Sequence, residues 1–127
     1  MKSSKKEEER MKKFGILTAG LLTLFWLVMT VSVLAHPPSD IKINYNPKTQ
    51  LLSITVDHQV ENPKPHYIKE IEVFLNGKKI ILQNFNQQAG QLVQVAIYQV
   101  YGLIPGDKIG VEAECSRFGS LRKDFKI

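Results

Sequence analysis

Two of the three histidines of the chain, His58 and His66, stand on either side of a short, stiff loop. The loop contains Pro-Lys-Pro at residues 63–65, and strand-like runs precede His58 and follow His66. Imidazole nitrogens held on a rigid base are common metal ligands. Each histidine could equally be a solvated polar residue beside a loop. The pair therefore marks a candidate site whose chemistry depends on its partners.

Two further residues after the first 35 could bind a soft or borderline metal, His36 and Cys115. Imidazole with thiolate suits iron, copper or zinc. A single cysteine cannot form an internal disulfide, so Cys115 is a buried apolar residue, an intermolecular partner or a metal ligand. Its spacing alone favours the first of these. The sequence shows no hydrolytic triad, phosphate loop or paired-acid signature. The candidate metal ligands are therefore His36, His58, His66 and Cys115.

The net charge of +5 is concentrated towards the N-terminus. Residues 1–35 carry six Lys or Arg and three Glu, whereas residues 36–127 carry eleven Lys or Arg and nine Asp or Glu. The second part is near neutral and has no dense basic patch, which argues against nucleic acid as a partner. A chain of 127 residues is long enough for one domain and too short for two.

A run of 22 residues without charge, Phe14 to Ala35, follows the basic residues of the N-terminus. A helix of that length spans about 33 Å, enough to cross a membrane, and the preceding positive charge favours a cytoplasmic N-terminus. The run ends in Val-Leu-Ala, which suits a signal peptidase. We therefore expect residues 1–35 to be a signal peptide or an N-terminal membrane anchor. Residues 36–127 are then an exported domain, periplasmic or otherwise extracytoplasmic.

The second part of the chain consists of short strand-like runs separated by turns. Period-two alternation and β-branched residues predict strands at residues 41–45, 51–57, 67–75, 78–82, 91–100, 108–115 and 121–127. A short helix also fits the run at 91–100. Asn76-Gly77 predicts a two-residue hairpin turn. About seven strands predict an all-β fold, an immunoglobulin-like antiparallel sandwich preceded by one N-terminal hydrophobic helix.

Four segments of residues 36–127 resemble motifs of the superoxide reductase family (desulfoferrodoxin, neelaredoxin). That family carries an early His-Val-Pro, then His-Pro-Met, His-Tyr-Ile-x-x-Ile and Cys-Asn-x-His-Gly. The matching segments are His36 before two prolines, His58 with Val60, the His-Tyr-Ile-x-x-Ile segment from His66, and the Cys-x-x-x-Gly segment from Cys115. The resemblance covers nearly all of the predicted desulfoferrodoxin-like domain, and the His-Tyr-Ile segment is its most specific part.

The resemblance implies a mononuclear, non-haem ferrous centre with four equatorial histidines and an axial cysteine thiolate. Such a centre reduces superoxide to peroxide at an open sixth position. Carried over, His36, His58 and His66 take three nitrogen positions and Cys115 takes the thiolate position. The fourth histidine falls on Phe118, which cannot bind a metal. Copper and zinc remain alternatives to iron, because four-coordinate sites of this composition suit them as well.

The leading hypothesis is thus an exported iron-binding protein resembling superoxide reductase, with enzymatic activity left open. A non-catalytic binding module, similar to the sulfur-carrier partner of bacterial thiosulfate oxidation, is the first alternative, since residues 68–79 resemble that protein too. A copper protein is the second, because cleavage before His36 would create an amino-terminal copper chelate. The expected partners are superoxide, an external electron donor and, if the anchor is uncleaved, the membrane. A homo-oligomer is compatible with the sequence.

Overall fold

The computed structural model describes residues 2–28 and 36–127. The chain divides into two compact units, Met1–Leu34 and Ala35–Ile127. The first contains the helix and the second contains the strands. The elements are α1 (Lys2–Val28), β1 (Asp40–Asn46), β2 (Leu51–Asp57), β3 (Ile68–Leu75), β4 (Lys78–Asn84), β5 (Val93–Gln99), β6 (Lys108–Cys115) and β7 (Ser120–Lys126).

Helix α1 begins at Lys2, well before the apolar run that predicts it. Residues 5–13 are all Lys, Glu, Arg or Met, which are good helix formers. Glu8 and Lys12 also form an i,i+4 ion pair of 3.0 Å. The helix therefore includes the charged segment. Residues 29–35, with the predicted cleavage position, lie outside the described residues.

No helix in the described part of the chain is both long enough and apolar enough to cross a membrane.

The second unit is a sandwich of two antiparallel sheets. The strand order is β1-β2-β5 in one sheet and β4-β3-β6-β7 in the other. The run at 91–100 forms strand β5, not a helix, and pairs with β2. Its buried Gln94 and Ala96 alternate with exposed Val95 and Ile97, the period of a strand with one face on the core. The predicted all-β sandwich is confirmed.

The strand order differs from that of an immunoglobulin constant domain in the place of the fourth strand. In that domain the sheets are ABED and CFG, so the fourth strand lies beside the fifth. Here β4 lies beside β3. A two-residue connection accounts for this, because a tight hairpin keeps consecutive strands antiparallel and adjacent. The four-stranded sheet therefore has β3 and β6 as its two central strands. Both strands lie next to the candidate site.

The core lies between the sheets and is made by the inward-facing residues of alternating strands. On β6, Ile109, Val111 and Ala113 are fully buried, as their alternation predicts, and Cys115 continues this face at 2% exposure. Burial of one such Ile or Val contributes about 1.5–3 kcal/mol. The other buried members of the cluster are Ile41, Leu52, Ile54, Val56, Ile68, Ile71, Val73, Ala96 and Val100. Cys115 is thus the residue at which the apolar core reaches the rim of the sandwich.

The turn between β3 and β4 has the predicted form. Asn76 and Gly77 have φ angles of 49° and 86°, and the flanking residues Leu75 and Lys78 are direct strand partners. Two consecutive positive φ angles define a primed turn, whose twist matches that of the strands. The Asn76 side chain also accepts the backbone N–H of Lys108 at 2.9 Å, which ties the turn to β6. The predicted hairpin is therefore confirmed.

Replacing Gly77 by alanine should lower the free energy of unfolding by about 1–2 kcal/mol, because an L side chain is strained in the left-handed region. Gly90→Ala is the matched control. A Cβ at either position meets no atom within 4 Å, and only Gly77 of the two has a positive φ. Chemical denaturation of both variants followed by circular dichroism measures the difference. Equal losses of stability at the two positions would contradict the assignment of strain to the turn.

Candidate metal centre

The three histidines come together at one end of the sandwich. The ring centroids of His58 and His66 are 4.8 Å apart, and those of His36 lie 5.1 Å and 5.3 Å from them. One ligand nitrogen of each ring lies within 4.8 Å of the other two. Cys115 is outside this group of three but adjoins it, with its Sγ 3.2 Å from Nε2 of His66. The structure thus brings together the four residues that the sequence singles out.

His58 directly follows β2 and is only 1% exposed. Its backbone N–H donates to the carbonyl of Leu92 at 2.9 Å, which holds the chain as it leaves the sheet. Its Nδ1 lies 2.8 Å from Oε1 of Gln88. Its Nε2 is buried and has no hydrogen-bond partner among the described residues. Such an atom is rare and costs about 1–3 kcal/mol, so Nε2 is a nitrogen that a bound ion would satisfy.

His66 lies in the loop between β2 and β3. The sequence pattern places it next to the start of a strand at residue 67, but β3 begins at Ile68. The reason is that the chain first turns at residues 63–65 and bends at His66. The His66 backbone N–H faces the carbonyl of Asn62 at 3.4 Å, which closes the loop. The buried ring is thereby held against Cys115.

Burial lowers the pKa of His66 below its usual 6.5, because the charged imidazolium loses hydration. The charges of His58, Arg117 and His36 act in the same direction. His66 is therefore held in its neutral form near neutral pH. A neutral imidazole has one nitrogen lone pair, which is what a metal requires.

Cys115 ends β6, directly opposite Ile68 of β3. Its backbone N–H donates to the carbonyl of Gly119 at 2.9 Å, so the loop that follows is tight. The backbone N–H of Arg117 points at Sγ of Cys115 at 3.4 Å. The thiolate is the form of cysteine that binds metals.

Two hydrogen bonds connect the loop that follows Cys115 with the loop that carries His66. The backbone N–H of Ser116 donates to the carbonyl of Tyr67 at 2.8 Å. The backbone N–H of Tyr67 donates to Oγ of Ser116 at 3.1 Å. The residues that follow His66 and Cys115 therefore pair with each other. This reciprocal contact holds the imidazole and the thiol in register.

His36 is the exposed member of the group and lies at the start of the second unit. His36 belongs to the lead-in, the segment of residues 36–39 before β1. The backbone N–H of Ser39 donates to the carbonyl of Asp57 at 2.8 Å, which holds the lead-in next to His58. A Cβ at Gly119 would lie 2.9 Å from Cβ of Pro37, and Gly119 has a φ of +86°. Glycine at this position lets the lead-in rest on the loop that follows Cys115. Phe118, beside it, is 67% exposed and offers no ligand atom.

One residue of the site, Gln88, is not predicted by the sequence pattern. It lies in a stretch that reads as a polar, irregular loop, and it is only 2% exposed. Its neighbour Gln87 is exposed. Nothing in the pattern separates the two glutamines, because the burial of Gln88 depends on contacts with His58, 30 residues away.

No family model and no curated protein matches the chain. Among solved structures, the chain is similar to the superoxide reductase from Nanoarchaeum equitans. The two share 18% sequence identity, and the similarity covers 72% of this chain and 92% of that chain with a TM-score of 0.44.

One pair of donor atoms in the cluster has the separation expected around a single metal ion. Zinc binds nitrogen at about 2.1 Å and sulfur at about 2.3 Å. When the angle between these two bonds lies between a right angle and the tetrahedral angle, the nitrogen and the sulfur are about 3.1–3.6 Å apart. The 3.2 Å between His66 Nε2 and Cys115 Sγ falls in this range. Two nitrogens bound to one ion are at most about 4.2 Å apart, and the nitrogens of the three histidines lie within 4.8 Å of one another. The histidine nitrogens are therefore close to the separations that a shared ion requires.

The lowered pKa of His66 predicts that the metal-free protein loses stability on mild acidification. The unfolded chain takes up the proton near pH 6.5, whereas the folded chain takes it up at a lower pH. The contribution of neutral His66 is therefore present above pH 6.5 and is lost as the pH falls through the folded value. Denaturant titrations at a series of pH values should show that His66→Gln loses less free energy of unfolding on acidification than the parent protein does. An identical pH dependence in the two proteins would contradict the prediction.

Proposed function

We propose that residues 36–127 bind one iron ion through His36, His58, His66 and Cys115 and reduce superoxide to hydrogen peroxide. The observation that carries the proposal is the environment of His58. Its buried Nε2 has no hydrogen-bond partner among the described residues, and its ring packs against His36 and His66. A buried, unpaired imidazole nitrogen in such a cluster is the arrangement that a metal would complete.

The choice of iron and superoxide rests on the sequence. Three imidazoles and one thiolate suit iron, copper and zinc alike. The resemblance of the segments that begin at His66 and Cys115 to superoxide reductase motifs favours iron. Since Phe118 stands where that family has its fourth histidine, the residues described here supply three nitrogens and one sulfur.

The side chains of this site would have distinct roles. His58 and His66 present nitrogens from buried, preset positions, and Cys115 supplies a negative charge from the end of β6. Iron, when bound, would supply one-electron chemistry. The exposed Arg117, whose charge acts on His66, places positive charge beside the cluster. Superoxide is an anion, so this charge favours its approach.

The proposed reaction needs one electron and two protons for each superoxide ion, and its product is hydrogen peroxide. The protons come from solvent. The electron comes from an external one-electron donor, which must reach the cluster from the side of the exposed His36, since His58, His66 and Cys115 are buried. We also propose that the domain works outside the cytoplasm, on the basis of the basic segment and uncharged run that precede it.

The first test is the metal content of ligand variants. Cys115→Ser and His66→Ala should each lower the iron bound per chain and abolish a thiolate-to-iron charge-transfer band, because each removes a donor of one site. Metal analysis and absorption spectroscopy of protein produced and loaded with iron measure both effects. Gln59→Ala is the matched control, an exposed neighbour of His58, and should leave both readouts unchanged.

The same experiment separates the proposal from its rivals. If both variants bind iron as the parent does, Cys115 is only a buried apolar residue and His66 is not a ligand. If the parent takes up zinc or copper and no iron, and both variants lose that metal, the donor set is correct and the proposed iron centre is wrong.

The second test distinguishes reduction of superoxide from its disproportionation. The iron-loaded protein, supplied with a one-electron donor, should consume superoxide and produce peroxide without releasing dioxygen. Dismutation would release one dioxygen for every two superoxide ions. An oxygen electrode and a peroxide assay on the same sample measure the ratio. Dioxygen release in that ratio, or no consumption above the rate of Cys115→Ser, would contradict the reductase proposal.

A further inference from the structure

We infer that Gln88 is a positioning residue that keeps the proton of His58 on Nδ1 and so leaves the lone pair of Nε2 facing the histidine cluster. The inference rests on the proposed function only for the statement that Nε2 binds a metal. The choice of tautomer follows from hydrogen bonds within the protein. Those bonds fix first the orientation of the glutamine amide and then the position of the histidine proton.

The orientation of the Gln88 amide is determined by two carbonyl groups. Its Nε2 donates to the backbone carbonyl of His58 at 2.7 Å and to that of Gly90 at 2.8 Å. Carbonyl oxygens only accept hydrogen bonds, so the amide nitrogen must lie on their side. The reversed amide would set an oxygen against two oxygens. Oε1 therefore has to face the His58 ring.

The orientation of the amide then decides the tautomer of His58. Oε1 of Gln88 lies 2.8 Å from Nδ1 of His58. Because Oε1 is an acceptor, Nδ1 must carry the proton and donate it. In the neutral ring the other nitrogen, Nε2, then keeps the lone pair. This is the nitrogen that is buried without a hydrogen-bond partner in the described part of the chain.

Gln88 is itself held firmly enough to enforce this choice. Its backbone N–H donates to the carbonyl of Pro63 at 3.1 Å, in the loop between His58 and His66. The residue is only 2% exposed, and both ends of its amide have partners. Gln88 thus connects the end of β2 with the loop that carries the next histidine. A hydrogen bond to the second nitrogen of a ligand histidine commonly changes metal affinity about 10–100-fold.

The direct test is the tautomer of His58 in the metal-free protein. Long-range proton–nitrogen correlation spectra of the full chain labelled with nitrogen-15 in histidine distinguish a protonated ring nitrogen from an unprotonated one. We expect the neutral ring of His58 to carry its proton on Nδ1 and not on Nε2. A spectrum with the proton on Nε2 in the wild-type protein overturns the inference, whatever any variant does.

Three variants test the role of the side chain. Gln88→Met keeps its length and removes its hydrogen bonds, so His58 should shift towards the Nε2-protonated tautomer and affinity for Fe²⁺ or Zn²⁺ should fall about 10–100-fold. Gln88→Leu removes the same hydrogen bonds with an apolar side chain of another shape and should cause the same shift. Gln87→Met makes the same chemical change at an exposed neighbour and should alter neither readout.

The outcomes separate this inference from the proposed function. If Gln88→Met is folded and keeps both the wild-type tautomer and the wild-type affinity, Gln88 does not position His58. If the wild-type protein shows the expected tautomer, loses it in Gln88→Met and binds neither metal, the proposed metal function fails while the role of Gln88 stands. If Gln88→Met does not fold, a shift of the His58 proton to Nε2 in Gln88→Leu supports the inference, and retention of the Nδ1 proton there overturns it.

Discussion

The candidate site depends on one constraint, the burial of the His58 ring. The side chain is 1% exposed, so both ring nitrogens have lost water. A hydrogen bond to Gln88 replaces the lost water at Nδ1, whereas Nε2 has no hydrogen-bond partner among the described residues. Leaving such an atom unpaired costs about 1–3 kcal/mol, which is a large fraction of the stability of a small domain. A sandwich that needed only a filled core would place an apolar residue there. The cost makes sense where the nitrogen has a ligand to bind.

The sandwich meets this constraint by bringing both sheets to one rim. His58 follows β2, which belongs to one sheet, whereas His66 precedes β3 and Cys115 ends β6 in the other. The pairing of Ile68 with Cys115 sets the register at that rim, and the contacts between Tyr67 and Ser116 continue it for one more step. His58, His66 and Cys115 therefore lie at or within two residues of a strand end, where the backbone is still hydrogen-bonded. The donor side chains are therefore placed precisely, and they lie outside the apolar core that the middle of each strand contacts.

Much of the fold could be predicted because its signals are local. Alternation along β6 gave the buried face of Ile109, Val111 and Ala113, and Asn76-Gly77 gave the hairpin. The predicted start of β3 was one residue too early. The pattern of apolar residues does not show that the turn at residues 63–65 delays regular strand pairing. The candidate ligands could be selected because histidine and cysteine are rare in this chain. Gln88 could not be selected, because glutamine is common in its loop and only a contact 30 residues away in sequence distinguishes it.

The distribution of donors between the sheets has a thermodynamic consequence. His36 and His58 are carried by the sheet that contains β1 and β2, and His66 and Cys115 by the sheet that contains β3 and β6. An ion bound by all four would therefore join the two sheets at their open end. Because the unfolded chain does not hold these four side chains together, the free energy of binding adds to the free energy of folding. His36 is the exposed donor, so its coordination would also connect the segment before β1 to the rim. In the proposed arrangement, the metal centre would also close the rim where the apolar core ends.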